Sequence, residues 1–248
     1  MAKNSESGHS KNVANFNFLI AFVLGYGELY KPSKSSIAPA ALQTVSANAT
    51  SSIKAVNDFF SANSIAISAR RVGFKPFSKL ITRVINALAS TDTSNEVDDQ
   101  ARTIVHKLQG TRATPKKTEE EKHLLEDEGK TVTEISSSQQ SFDNLLANFD
   151  KLIRLLAGVS LYTPNEPELT VAGLTDHYNE LKILNDKVVA TFTQLSNARI
   201  ARNEILYGET TGMTDLAFDV KLYIKSLFGS SSPQYKQVGG LKINPIKA

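Results

Sequence analysis

The sequence predicts an all-α protein, an elongated helical bundle with an internal duplication. Three observations carry that prediction. Apolar residues recur at helical 3–4 spacing, no segment shows the alternation of a strand, and one motif occurs twice. The motif reads LYKPSKSSIAPAAL at Leu29–Leu42 and LYTPNEPELTVAGL at Leu161–Leu174, 132 residues later.

The match extends in both directions. Upstream, NFLIAFVLG (Asn17–Gly25) aligns with DKLIRLLAG (Asp150–Gly158). Downstream, Val56, Phe60 and Arg70 meet Val188, Phe192 and Arg202. After an eight-residue gap, Leu80, Val84, Ala87 and Leu88 face Val220, Ile224, Leu227 and Phe228. Two copies fall short of a solenoid, so the expected form is a pseudo-twofold bundle of two helix–long helix–helix units.

The predicted elements follow in order. Residues 1–13 read as a disordered polar tail, and residues 14–110 as the first repeat. Its first helix runs over about Ala14–Leu24, matched by Ser138–Leu156 in the second repeat, residues 135–230. Phe142, Leu145, Leu146, Phe149, Leu152, Ile153 and Leu156 form one buried face of the latter. Gly25 and Gly158 sit where left-handed caps are favoured.

A long helix follows each motif, from about Ser36 to Arg71 and from about Glu166 to Leu206. Ser33 and Asn165 are the expected N-caps, with Ser36 as a second choice that places Pro39 in the first turn. Pro32/Ile37 and Pro164/Leu169 form hydrophobic staples. Tyr30 and Tyr162 pack the corner. The third helix begins after Pro76, with Phe77, Leu80, Ile81, Val84, Ile85 and Leu88 as its stripe. A helix opens at Asn95 and ends near Gly110. Residues 111–134 read as a charged linker or a short exposed helix, with Thr118 and Glu121 at capping-box spacing. Residues 231–248 form a C-terminal extension.

The composition narrows the functional classes. Net charge is +3 and cysteine is absent, which excludes disulfides, thiolate metal sites and a cysteine nucleophile. The basic start before FNFLIAFVLG resembles a signal peptide, but the internal counterpart of that segment carries Lys151 and Arg154, as a core helix would. The expectation is therefore no signal peptide and a cytoplasmic location. No apolar run reaches the ~20 residues of a spanning helix.

No phosphate-loop, dinucleotide or nucleophile-elbow motif occurs. His9, His106, His123 and His177 form no metal spacing. The lone His177-x-x-Glu180 pair has Val45 and Asn48 at the matching places of the first repeat. The expectation is no enzyme, no cofactor and no metal. Arg70, Arg71, Lys75, Lys79 and Arg83 run without an acid between them. They could contact phosphates of nucleic acid or anionic lipid. Solvated helix faces are the preferred account.

ISSSQQSFDNLLANFDKLIRLL, LSNARIARNEILYGETTG and VKLYIKSLFGSSSPQYKQVGGLK resemble a group of uncharacterised bacterial all-helical proteins of about this length, seen widely in the Bacteroidetes. The resemblance implies a bacterial, stand-alone chain and brings no site residues. The expected function is a non-enzymatic structural or protein-interaction role, with a protein partner or self-assembly. The alternatives are a membrane-active helical protein and a nucleic-acid binder using the Arg70–Arg83 face.

Overall fold

A computed structural model describes residues 6–111, 118, 120, 123, 124 and 140–246. Among the described residues the chain is helical and has no strand. The helices are α1 (Glu6–Gly25), α2 (Pro39–Phe74), α3 (Phe77–Ala89), α4 (Asn95–Gln109), α5 (Phe142–Ala157), α6 (Val171–Tyr207), α7 (Met213–Phe228) and α8 (Pro233–Gly239). The fold class is all-α, as the periodicity predicts. The Thr118–Glu121 cap and most of the 111–134 linker lie outside the described residues.

The chain divides into two compact units that cut across the sequence repeats. One comprises Met1–Ser64 with Thr191–Ala248, the other Ile65–Ala190. The first therefore joins α1 and the start of α2 to the end of α6, α7 and α8. Its core includes Phe16, Leu19, Val23, Leu42, Ala49, Leu206, Met213, Val220 and Ile224. The second joins the end of α2, α3, α4 and α5 to the start of α6. Phe77, Ile81, Val84, Leu88, Val105, Phe149, Leu152 and Leu174 are among its core residues. Each unit thus combines helices from both repeats, because each long helix is divided between the two.

The apolar stripes fall as expected. Leu145, Leu146, Phe149, Leu152, Ile153 and Leu156 are buried on α5, and Phe77, Ile81, Val84 and Leu88 on α3. Phe16, Leu19, Ile20 and Val23 of α1 are buried counterparts of Phe149, Leu152, Ile153 and Leu156. That register is 133 rather than 132, so the turn after α1 holds one extra residue.

Three local expectations are corrected. The polar tail is helical from Glu6, and His9 and Asn12 are buried. Their partners are distant in sequence: His9 Nδ1 lies 2.7 Å from Tyr207 Oη, and Asn12 Nδ2 donates to the carbonyl of Asn244 at 2.7 Å. Among the described residues the positive-φ glycines are Gly27 (φ 55°), Gly110 (φ 68°) and Gly229 (φ 90°), not Gly25 or Gly158. Gly158 keeps φ −81° because its N–H still bonds back into the last turn of α5.

The third correction concerns the helix starts. A 3-10 turn stands between each motif's proline and the long helix, over Ser35–Ile37 and Pro167–Leu169. The helices then begin at Pro39 and Val171, so Ser33 and Asn165 are not N-caps. Thr170 caps α6 instead, its Oγ1 accepting from the Gly173 N–H at 3.1 Å. In the first repeat Pro39 takes the first helical position, where its missing N–H is harmless.

Thr170→Ala should lower stability by ~0.5–2 kcal/mol in urea denaturation. Asn165→Ala, at an exposed position, should stay within ~0.5 kcal/mol of the parent protein.

Candidate functional site

Both corners are built by the same bond. Tyr30 Oη donates to the Ile37 carbonyl at 2.9 Å, and Tyr162 Oη to the Leu169 carbonyl at 2.8 Å. Both tyrosines, Ile37 and Leu169 are buried. Desolvation pushes the Tyr162 phenol up to about 12 and raises Tyr30 further. The repeated motif is therefore structural, consistent with Pro32 and Pro164 standing just ahead of the turns.

The basic run is not one free face. Arg70 Nη1 donates to Asn185 Oδ1 at 2.8 Å, and its guanidinium lies 4.0 Å from the Phe142 ring centroid. Arg83 pairs with Glu168 at 2.9 Å. The Glu168 backbone N–H first, and Arg83 second, hold that carboxyl below its ordinary range. Arg71, Lys75 and Lys79 are exposed. His177 Nδ1 lies 3.5 Å from Glu180 on α6, and His106 Nδ1 lies 2.7 Å from the Thr111 hydroxyl.

Two concavities lie in the first unit. The smaller-residue one is a groove of about 540 Å³ between α2 and α6. Asn48, Ser51, Ser52, Ala55 and Phe59 line it from α2, and Gln194, Asn197, Ala198, Ala201 and Ile205 from α6. The helices run antiparallel here, since Asn63 meets Thr191 while Asn48 and Ile205 share the groove. The lining carries no charge. Asn48, Ser52, Ala55 and Phe59 follow one helical stripe of α2. Phe60 and Phe192 occupy equivalent places in the two repeats and are 53% and 54% exposed.

The second concavity, about 580 Å³, lies beside the first corner. Lys34, Ser36, Thr44, Thr210 and Thr211 supply its polar groups. Lys34 is already paired with Asp219 at 2.5 Å. Thr210 adopts φ 65°, held by its N–H donating to Asp215 at 2.8 Å.

At the matched positions of the second unit, among the described residues, the space is occupied. There the positions of Asn48, Ser52 and Ala55 are taken by Glu180, Leu184 and Lys187, and that of Ile205 by Gly73. Leu184 fills the space over Gly73, where an added Cβ would stand 2.4 Å from Leu184 Cδ1. The periodicity and motifs do not predict the groove. The signal available was the replacement of Leu184 by Ser52 at matched positions. No protein-family model, curated protein or solved structure matches the chain.

Tyr162→Phe should cost ~1–3 kcal/mol, because the buried Leu169 carbonyl loses its donor. The raised Tyr162 value also sets a pH window. Stability from the neutral phenol is complete below pH ~10 and is lost as pH rises through about 12. Urea midpoints across that alkaline limb should fall more steeply for the parent protein than for Tyr162→Phe.

Arg70→Ala should cost ~1–3 kcal/mol, through loss of a charged hydrogen bond and the stacked guanidinium. Arg70→Lys should recover only part of this, because lysine lacks the planar group. Arg71→Ala, measured alongside in the same urea titration, should be near neutral.

Proposed function

We propose that the protein is a non-enzymatic helical scaffold with a protein-interaction role, and that the α2–α6 groove takes one amphipathic helix of a partner protein. The observation that carries this reading is the asymmetry of the groove. It is open in the first unit, where Ser52 and Ile205 stand, and filled by Leu184 over Gly73 in the second. The uncharged lining supports a helix presenting small and apolar residues, since no group there would neutralise a phosphate or carboxylate. From Asn48 to Phe59 the site extends over ~17 Å, about three helical turns.

The other readings have less support. No helix among the described residues is long and apolar enough to cross a membrane. Two of the five cations in the basic run are engaged within the protein's own unit, which weakens the nucleic-acid reading. A cytoplasmic setting fits the cysteine-free composition.

The absence of cysteine makes a site-specific test clean. A photo-crosslinker on Ser51→Cys should capture a partner in lysate of the source cells. The same probe on exposed Ser61→Cys should not. Ala198→Arg should abolish the Ser51 crosslink while shifting the urea midpoint little. Capture of a second copy of this chain would make the partner helix its own. Equal labelling from Ser51 and Ser61, or a crosslink that survives Ala198→Arg, would overturn the groove as the docking site.

A further inference from the structure

Each repeat carries a corner and a third helix, and the two fall in different units. The first corner instead packs on α7 of the second repeat, and the second corner packs on α3 of the first. An ion pair ties each contact: Lys34 to Asp219 at 2.5 Å, and Glu168 to Arg83 at 2.9 Å. The signs are opposite. The first corner offers a base to an aspartate of α7, and the second offers an acid to an arginine of α3.

The two pairs are not at matched positions, since Glu168 and Arg83 correspond to Ser36 and Tyr223, and the charge inversion at matched positions lies beside the observed second pair. Asp219 on α7 corresponds to Lys79 on α3, and Lys34 corresponds to Glu166. Pairing two first repeats would set Lys34 against Lys79. Pairing two second repeats would set Glu166 against Asp219. The bonds inside the two corners are the same, Tyr30 to Ile37 and Tyr162 to Leu169, whereas the receiving helices also differ in their aromatic contact, since Tyr223 stands edge-on to Tyr30 where α3 has Arg83.

We propose that this charge inversion is a pairing code: it directs each repeat to the unlike repeat, within one chain or by reciprocal exchange with a second copy, and disfavours pairing of like repeats. Specificity fits these pairs better than stability does, since exposed ion pairs contribute little to folding while like-charge contacts penalise wrong partners.

Erasing the code while keeping the ion pairs tests it. In the full chain, Lys34→Glu with Asp219→Lys gives each corner an acid facing a base on its receiving helix. Its urea midpoint should stay near that of the parent protein. After refolding at high concentration, light scattering should show on the order of fivefold more dimer and higher species, the scale of one exposed ion pair. Inverting the other contact as well (Lys79→Glu, Arg83→Glu, Glu166→Lys, Glu168→Lys) should restore the parental distribution. Asp219→Lys alone should lower the midpoint, and adding Lys34→Glu should recover it, with the difference shrinking in 1 M salt, where screening acts within ~3 Å. A parental mass distribution for Lys34→Glu/Asp219→Lys, or no recovery of the Asp219→Lys midpoint, would overturn the code.

Discussion

The bond from a buried tyrosine hydroxyl to a carbonyl seven residues on sets the geometry of both halves. It satisfies the carbonyl that ends each 3-10 turn, a group that would otherwise be buried unpaired at ~1–3 kcal/mol. It also fixes the distance from the turn to the first buried position of the long helix. Leu42 and Leu174 stand twelve residues after Tyr30 and Tyr162. From there burial recurs every seventh residue, at Leu42, Ala49, Val56 and Asn63 on α2 and at Leu174, Leu181, Val188, Leu195 and Arg202 on α6. A seven-residue repeat is the period of a coiled-coil seam. The corner therefore determines which face of each long helix turns inward.

Apolar seams of this kind are forgiving about register, and the buried polar groups supply what they lack. In the first unit Asn63 accepts from the Thr191 hydroxyl at 3.1 Å. In the second, Asn185 accepts from Arg70 and donates to Asp143 at 2.7 Å. Sliding a helix by one turn would leave these groups buried without partners. A polar group at a seam position is a known means of fixing register at some expense of stability. The aromatic contacts Phe74–Phe142 at 4.8 Å and Phe77–Phe149 at 4.9 Å add shape to the same selection in the second unit.

The parts of this architecture that sequence reveals are those with a short period. The α3 and α5 stripes and the recurring corner are legible because their partners are set by spacing alone. The helix starts are not. Ser33 and Asn165 have the chemistry of N-caps, but the tyrosine bond holds the backbone in a 3-10 turn past them, and no local rule anticipates that bond. His9 reads as a tail residue until Tyr207, 198 positions away, is placed beside it. Arg70 and Arg83 read as one basic face until Asn185 and Glu168 claim them. In each case the missing fact is a long-range partner. The groove is intermediate: Ser52 against Leu184 is visible in the alignment of the repeats, but its meaning depends on what fills the space over Gly73.

The two halves differ most at positions that leave the frame intact. Ala41 corresponds to Gly173, where an added Cβ would come within 2.1 Å of the Pro167 carbonyl oxygen. The second turn therefore sits closer to its long helix than the first does. Glycines also shape the loop between α6 and α7, which falls within the eight-residue gap. Cβ atoms added at Gly208 and Gly212 would meet backbone at 2.6 and 2.5 Å. That loop contributes Thr210 and Thr211 to the cavity beside the first corner. Lys34 against Glu166, Ser52 against Leu184 and the inserted loop are thus three departures from one pattern. All three change surface chemistry while the tyrosine bond and the seven-residue seam remain. A frame specified by a few buried bonds can hold different surfaces, because the exposed positions contribute little to its stability. The open groove, the cavity and the basic corner all fall in the first unit.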